Sequence, residues 1–272
     1  MAAVTLRMTA TRVYNVRCAW YQLTNIPRAA ARGAKPPQGG FCTSWGKSMT
    51  QAQPPTRVNV YFDGFNFYYA AFVGVGGGPG PYDGYKWLDL RAYVSAVLGD
   101  SFDVRTIRYF STKVKPTPND PDKHLRQDAY FRALAAHSHV DIHSDGQFRK
   151  RQKRGRLIQP GAQPGIVRVE VWEEKGADVN LASWLIYEAC QGAFEAAVVV
   201  SDDSDLIGPV KMVQERLGKD VFVIHLRNRR SSFAHTAKHV YRGDKTHFFA
   251  KNQLPQTVVL PTGKTVSKPA PW

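Results

Sequence analysis

Apolar runs of strand length alternate with stretches of helical periodicity along the chain from residue 57 onward. A short run that is apolar almost throughout is typical of a strand buried on both faces of a sheet. The predicted strands are 57–63, 103–111, 196–200 and 220–226. The predicted helices are 65–72, 88–98, 122–137, 178–191, 205–217 and 231–240. Because strands alternate with helices, the pattern predicts an α/β fold with a mostly parallel central sheet covered on both faces.

A basic segment interrupts this alternation. Residues 140–148 and 166–173 alternate apolar and polar side chains, so we expect two strands of a β-ribbon whose connection carries the basic run. The cations of this run are Arg149, Lys150, Arg151, Lys153, Arg154 and Arg156. Six cations within eight residues are typical of contact with phosphate, so we expect these side chains to bind nucleic acid. A solvated hairpin tip without a polyanion partner is the alternative.

The two ends of the chain differ from its middle. Residues 1–56 contain seven Lys or Arg and no acid, and they show no sustained period. A transit peptide, a disordered segment and a non-native extension ahead of a start at Met49 all fit this composition. We favour the last, because folded-type patterning begins only at Arg57. The expected organisation is an extension (1–56), an α/β domain (57–240) and a Pro-rich C-terminal strap or disordered tail (241–272).

The composition of the chain limits the cellular compartments and the classes of partner that we expect. The net charge is +15, and the seven cations of residues 1–56 leave +8 for the rest, so RNA or another polyanion is the expected partner. Three cysteines are too few and too scattered for a disulfide framework or a zinc site. No apolar run is long enough to cross a bilayer, so we expect a cytoplasmic protein without a membrane partner.

Acidic residues follow two of the predicted strands and begin one predicted helix. Asp63 closes the first strand, Ser201-Asp202-Asp203-Ser204-Asp205 follows the third, and Asp178 starts the fourth helix. Parallel strands end at one edge of a sheet, where open α/β sheets bind ligands, so we expect these acids to converge. Each acid alone has a simpler explanation as a helix cap or turn residue. Together, their hard oxygen atoms favour Mg²⁺ or Mn²⁺.

Three segments resemble the motifs of the NYN domain family, the bacterial branch of the PIN-like nuclease superfamily. They are VNVYFDGFNFYY from residue 58, EEKGADVNLASWLIYEA from residue 173 and AVVVSDDSDLIGPVKMVQERLGKDVFVI from residue 197. The resemblance covers residues 57–240 and implies a PIN-like three-layer α/β/α sandwich with an acidic metal site. By position, the resemblance implies as catalytic residues and metal ligands Asp63, Asp178, Asp203 and Asp205. The supporting residues that it implies are Asn66, Ser201 and Asp202.

Two positions depart from the family pattern. Family members usually have Gly at the position of Asp202, and many have a further Asp at the position of Trp184. Asp202 therefore adds a charge beside the expected site, and Trp184 removes a carboxylate from it. These departures favour a non-catalytic nucleic-acid-binding module as one alternative to a nuclease.

A narrower resemblance implies a different chemistry. The segments DGFNFYY at 63–69 and NQLP at 252–255 are similar to an NYN subgroup named 6-hydroxy-3-succinoylpyridine hydroxylase. That resemblance implies an NADH-dependent monooxygenase of nicotine or pyridine degradation, with NADH and a flavin as candidate cofactors. The sequence has no dinucleotide fingerprint and no 2-His-1-carboxylate set. The expected function is therefore a metal-dependent nuclease acting on RNA, with the monooxygenase as a further alternative.

Overall fold

A computed structural model describes residues 54–156, 165–227, 233 and 235–272. Pro54–Trp272 forms one compact unit. Most of the predicted N-terminal extension, including Met49, thus lies outside the described residues. The unit contains a six-stranded parallel sheet with helices packed on both faces. The predicted α/β fold, in the form of a three-layer α/β/α sandwich, is therefore confirmed.

Most strands and helices lie within a residue or two of their predicted bounds. The strands are β1 (Thr56–Asp63), β2 (Phe102–Phe110), β3 (Val140–His143), β4 (Gln147–Arg156), β5 (Ile166–Lys175), β6 (Ala196–Val200), β7 (Asp220–His225), β8 (His239–Arg242), β9 (Thr257–Val259) and β10 (Thr265–Ser267). The helices are α1 (Gly64–Phe72), α2 (Leu90–Leu98), α3 (Lys123–His137), α4 (Ala177–Cys190), α5 (Ile207–Leu217) and α6 (Thr246–Ala250). Within the described ranges, no helix has the combined length and hydropathy that a bilayer-crossing segment needs.

The order of the strands creates a crevice at one edge of the central sheet. The order is β3-β2-β1-β6-β7-β8, and every neighbouring pair is parallel. The chain moves outward in one direction from β1 to β2 and in the other from β6 to β7. Loops that leave adjacent strands in opposite directions open a crevice at the carboxyl ends of those strands. At this crevice β1 ends in Asp63, and Ser201 follows β6.

Alternate side chains of the central strands fill two cores, one on each face of the sheet. Val60 and Phe62 of β1 pack against the helices that precede and follow β2. Tyr61 points to the opposite face, where Leu181 of α4 and Val210 of α5 cover the sheet. Strands β1 and β6 are apolar on both sides because helices exclude water from both sides.

The basic segment folds differently from its prediction. Residues 140–148 do not form one ribbon strand, because β3 joins the central sheet beside β2 while β4 pairs antiparallel with β5. The basic run lies within β4 rather than in the connection, and residues 157–164 of the connection are not described. The prediction was wrong because β4 has no apolar alternation of its own. The pairing of β4 with the alternating valines of β5 makes it a strand.

The C-terminal part also differs from its prediction. The predicted helix 231–240 is wrong at its described end, because β8 begins at His239 and pairs with β7. Instead of an extended or disordered tail, the chain forms α6 and the β9–β10 hairpin. Phe249, Val258 and Val266 from these elements are buried in the same core as Val60. The apolar residues of this segment fall in runs of one to three separated by polar residues and Pro, which are too short to show a helical or strand period.

Candidate metal centre

Asp63 ends β1 and caps the first turn of α1. Its carboxylate is buried, and its two oxygens have different partners. Oδ1 accepts a hydrogen bond from the backbone N–H of Asn66 (3.0 Å), which satisfies one of the free amides at the start of the helix. Oδ2 accepts a hydrogen bond from the hydroxyl of Ser201 (2.9 Å), across the boundary between β1 and β6. Asp63 is therefore held from both sides of the crevice.

The loop after β6 is tied to the same network. The Oγ atom of Ser201 accepts a hydrogen bond from the backbone N–H of Asp203 (3.0 Å). The Oδ1 atom of Asn66 accepts one from the backbone N–H of Asp202 (3.0 Å). Asp203 in turn accepts from the N–H of Asp205 (2.9 Å) and caps a short 3₁₀ turn before α5. Ser201 and Asn66 thus fix the backbone that carries Asp203.

Asp178 reaches the crevice from a different part of the fold. It is the second residue of α4, which begins directly after the ribbon strand β5. Gly176 makes the turn between them with a φ of 109°, a left-handed conformation that costs a glycine little. A carboxylate in the first turn of a helix is stabilised by the free amides and the helix dipole. This turn points the N-terminal end of α4 toward the ends of β1 and β6.

The structure brings three of the four predicted metal ligands together. One carboxylate oxygen each from Asp63, Asp178 and Asp203 lies within 4.8 Å of the other two. Asp205 is exposed and does not belong to this mutually close group, although its charge contributes to the raised pKa of Asp178. Asp63 lies more than a hundred positions before Asp178 and Asp203 in the chain, and the order of the strands makes the three residues neighbours.

Burial and like charges raise the pKa values of two of these carboxyl groups. Burial raises the pKa of Asp63 to about 6, against the hydrogen bonds from Asn66 and Ser201, and nearby Asp203 adds to the rise. Burial also raises the pKa of Asp178 to about 7, and the charges of Asp63 and Asp203 are the next causes. The arrangement therefore favours a proton or a bound cation over three free negative charges.

Glu174 is an acidic residue near the site that the sequence patterns did not single out. Its Oε1 accepts hydrogen bonds from the hydroxyl of Thr112 (2.7 Å) and from the backbone N–H of Ala177 (3.3 Å). Its charge raises the pKa of both Asp63 and Asp178. Asp63 was identified as an acid at a strand end that is followed by a helix. The predicted strand 166–173 stopped two residues short of the observed end of β5 at Lys175, so the same signal missed Glu174.

Asp202 lies beside the site, but its side chain is directed elsewhere. Its carboxylate is 4% exposed and pairs with Nδ1 of His225, which is 2% exposed. The Nε atom of Arg227 lies 3.8 Å from its other oxygen. We expected Asp202 to add its charge to the acidic site. Instead, its side chain forms a buried pair with His225 that connects the ends of β6 and β7. Its backbone still supports the loop through Asn66.

Trp184 packs against Arg108, the central cation of a group of ion pairs. The guanidinium group of Arg108 lies 4.0 Å from the centre of its ring. Arg108 also pairs with Glu188, one turn further along α4, and with Asp141 of β3. Arg108 neutralises Glu188 and stacks on Trp184, so Trp184 contributes to the packing of α4 on the sheet. The acidic cluster of Asp63, Asp178 and Asp203 is therefore built without a carboxylate at residue 184.

The ribbon of β4 and β5 starts beside the acidic cluster. Its first pairs join Gln147 to Lys175 and Phe148 to Glu174. Several of its cations are engaged by acids of β5. Lys150 pairs with Glu170 at 2.8 Å, and Lys153 pairs with Glu173. Arg151 lies 3.8 Å from Glu173. In the described part of the chain, no ion pair involves Arg149, Arg154 or Arg156.

A cavity of about 360 Å³ lies next to the same sheet edge. It begins at Gly64, directly after Asp63, and its walls are aromatic side chains of α1 and α3 with Trp272 of the C-terminus. Three cations line it. Lys86 and Arg126 are paired with Asp83 and Asp120 at 2.5 Å each, and no ion pair of Lys123 is found among the described residues. The cavity therefore offers aromatic stacking and one available cation.

Comparisons with known proteins show distant similarity. No protein-family model matches the chain. The 6-hydroxy-3-succinoylpyridine 3-monooxygenase HspA of Pseudomonas putida is 26% identical over 250 residues, which cover 80% of this chain and 76% of HspA. A protein of unknown function from Vibrio parahaemolyticus is 16% identical, with a TM-score of 0.42, over 70% of this chain and 94% of its own. MurG of Acinetobacter baumannii is 12% identical, with a TM-score of 0.28, over 68% and 41% respectively.

Proposed function

We propose that the protein is a metal-dependent nuclease that hydrolyses phosphodiester bonds in RNA, with an NYN-type domain over residues 57–240. The supporting observation is the convergence of Asp63, Asp178 and Asp203 in the crevice between β1 and β6. Three carboxylates this close repel one another, and a divalent cation removes that cost. Carboxylate oxygens are hard donors that suit Mg²⁺ or Mn²⁺, so the donor set fits the ions expected for such a nuclease.

Each residue of the site has a distinct task in this proposal. Asp63, Asp178 and Asp203 would hold the ion, and Asp205 at the exposed rim would bind water of its shell. An ion held there supplies Lewis-acid activation of the phosphoryl group and of the attacking water. Ser201 and Asn66 keep the carboxylates in place through the hydrogen bonds to Asp63 and to the loop backbone. The ribbon would hold the phosphate backbone of the substrate.

The decisive experiment compares RNA cleavage by the wild type and by Asp203→Asn, with and without Mn²⁺. We expect cleavage of end-labelled single-stranded RNA only with the ion, and a loss of about 100-fold or more in the variant, because a ligand that stabilises transition-state charge is removed. Asp128→Asn is the matched control, since this carboxylate is 60% exposed on α3 and, among the described residues, pairs with Arg132 alone. Wild-type protein that binds RNA without cutting it would instead support a non-catalytic binding module.

A second candidate function is favoured by the relative HspA and by the cavity beside Gly64. HspA is named for a hydroxypyridine that carries a succinoyl carboxylate. The cavity of about 360 Å³ has the size of a small-molecule site and combines aromatic walls with Lys123. A planar aromatic acid could stack on these walls while its carboxylate pairs with the lysine. In this alternative dioxygen would supply the inserted oxygen atom, and NADH, directly or through a flavin, would supply the two electrons that reduce the other oxygen atom to water.

This alternative has a test of its own. Titration of the protein with 6-hydroxy-3-succinoylpyridine is followed by calorimetry, and NADH consumption is measured with the same compound. Binding that Lys123→Ala weakens about 10-fold, together with substrate-dependent NADH loss, would favour the monooxygenase. Lys113→Ala, a lysine that does not line the cavity, serves as the control. Absence of both signals would leave the nuclease as the better proposal.

A further inference from the structure

The two faces of the ribbon differ in how their cations are paired with acids. Opposite residues of an antiparallel pair share a face, and the register of β4 and β5 places all even-numbered residues on one side. We name this side the tryptophan face, after Trp172, and the side of the odd-numbered residues the valine face, after Val167, Val169 and Val171. The printed ion pairs agree with this division, since Lys150 meets Glu170 on one face and Lys153 meets Glu173 on the other.

The valine face gathers three of its four cations around one acid. Glu173 is a buried residue of this face and has three cations around it. Lys153 pairs with it directly, and Lys175 and Arg151 approach its Oε2 atom at 3.6 Å and 3.8 Å. Apart from Arg149, the cations of this face therefore have an acidic partner within the ribbon itself.

The tryptophan face keeps cations that no acid in the described part of the chain neutralises. Arg154 and Arg168 are directly opposite each other in the register, and Arg156 is the next residue on the same face. Like charges directly opposite in a β-pair repel, so this arrangement costs stability unless an anion lies between them. None of the three arginines forms an ion pair among the described residues. Their placement therefore points to an anion from outside the chain.

Trp172 adds an exposed aromatic surface to these cations. Its side chain is 51% exposed, which is unusual for the largest apolar side chain. The ammonium groups of Lys115 and Lys150 lie over the ring, 5.7 Å and 6.0 Å from its centre, and about half of the residue stays exposed. An exposed ring between cations offers stacking to a base and charge to the adjacent phosphates.

The tryptophan face leads directly to the acidic cluster. Glu174 lies on this face two residues after Trp172, and its charge raises the pKa values of Asp63 and Asp178. Opposite Glu174 in the register is Phe148, whose ring lies 5.5 Å from that of Phe65 in α1. At about 3.4 Å per residue, Arg168 lies about 20 Å from Glu174 along the strand. A strand of nucleic acid lying on this face would thus enter the crevice.

We propose that the tryptophan face binds a single-stranded polynucleotide, with one base stacked on Trp172 and phosphates on Arg154, Arg156 and Arg168, and that it guides the strand to the acidic cluster. The guiding role rests on the proposed nuclease function. A single strand is required because the bases of a duplex are already stacked on one another and cannot reach the ring. The valine face contributes only general attraction by its charge.

The test measures binding without cleavage, in the Asp203→Asn background and with EDTA, using a labelled 15-nucleotide single-stranded RNA. We expect Trp172→Ala to weaken binding about 10-fold and Trp172→Phe to retain most of it, because base stacking requires a ring. Replacing Arg154 and Arg168 together by Gln should weaken binding further at low salt. It should also reduce the slope of log K against log salt by about 1.4 for two lost phosphate contacts.

The matched control removes the same charge from the opposite face. Replacing Arg149 and Arg151 by Gln should cause a smaller loss than the Arg154 and Arg168 pair, and circular dichroism should show that all variants keep their fold. A duplex RNA of the same length should bind more weakly than the single strand and should not respond to Trp172→Ala.

Three results would overturn the proposal. They are equal losses from the two arginine pairs, unchanged binding by Trp172→Ala, and wild-type affinity for the duplex as high as for the single strand. Because no metal is present, these results do not depend on cleavage. Face-specific binding by a protein that never cuts RNA would disprove the nuclease while leaving the binding surface intact.

Discussion

Asp202 and Asp203 are neighbours in the chain, and their side chains lie in different surroundings. Asp203 is close to Asp63 and Asp178 at the crevice. Asp202 is turned toward His225, and both of these side chains are buried. At the scale of single residues, this Asp-Asp pair therefore combines a candidate metal ligand, Asp203, with the partner of a buried histidine, Asp202. We expect the two residues to respond differently to substitution.

Asp202→Ala should lower the free energy of unfolding by about 1–3 kcal/mol, because His225 loses its buried hydrogen-bond partner. It should leave Mn²⁺ affinity within a few-fold of the wild type. Asp203→Ala should show the reverse, with weakened ion binding and little loss of stability. Urea unfolding and calorimetric titration with Mn²⁺ measure the two effects, and the same response from both variants would contradict this division of roles.

The raised pKa values of Asp63 and Asp178 predict how the stability of the metal-free protein varies with pH. Unfolded aspartate ionises near pH 4, whereas the folded pKa values are about 6 for Asp63 and about 7 for Asp178. Between these values the folded state binds more protons than the unfolded state, so stability falls as pH rises. The contribution is fully present below pH 4 and is lost as pH passes through about 7.

Asp178→Asn should therefore stabilise the metal-free protein at pH 8 and change little at pH 4, because it removes a charge that the fold disfavours. Urea unfolding in EDTA at the two pH values measures the difference. Asp128→Asn, which removes an exposed carboxylate on α3 outside the acidic cluster, is the control. A stabilisation equal at both pH values would mean that repulsion among the carboxylates is not its cause.

At the scale of elements, the site depends on how closely α1 approaches β2. A Cβ atom at Gly64 would lie 2.6 Å from the ring of Tyr109 and 2.8 Å from the carbonyl oxygen of Phe110. Tyr109 is itself buried and donates a hydrogen bond to the carbonyl of Gly64 (3.2 Å). The first turn of α1, and with it the cap by Asp63, is thus positioned by the absence of a side chain.

Gly64→Ala should destabilise the protein by about 1–3 kcal/mol through overpacking and should weaken ion binding by shifting Asp63. Gly208→Ala is the control, since a Cβ atom at this exposed position in α5 would meet no atom within 4 Å. That change should stabilise the protein by up to about 1 kcal/mol through helix propensity. Thermal unfolding measures the stability of both variants. If Gly64→Ala left the stability unchanged, the contact with Tyr109 would have relaxed without cost.

At the scale of the whole molecule, residues of the C-terminal segment 241–272 pack into the hydrophobic core. Phe249 of α6 stacks on Tyr82 with ring centres 4.0 Å apart. Trp272 packs against Trp87 and Tyr130, with ring centres 6.3 Å and 5.6 Å away. The helices on one face of the sheet are therefore covered by residues far along the chain.

Two neighbouring valines of β9 test this role of the hairpin. Val258 is 4% exposed and Val259 is 66% exposed. Val258→Ala should lower the free energy of unfolding by about 2 kcal/mol, because it removes buried methyl groups and leaves a cavity. Val259→Ala should stay within about 0.5 kcal/mol of the wild type. Equal effects in urea unfolding would contradict the packing of the hairpin on α3.

Some of this protein could be determined from the sequence alone, because the signals are local. Continuous apolar runs predict β1 and β6, since a strand covered on both faces needs apolar residues at every position. Helical spacing likewise predicts α3 and α4. The acids that end these runs indicated the site, because a charged residue after a buried strand has to lie at the edge of the sheet.

Only the tertiary structure decided the rest. The order that places β1 beside β6 brings Asp63, Asp178 and Asp203 together, and strand order depends on packing between distant segments rather than on any local pattern. The pairing of β4 with β5 likewise turned a uniformly charged run into a strand with two unlike faces. Asp202 and Asp203 carry the same chemistry in the sequence, and only the position of His225 separated them.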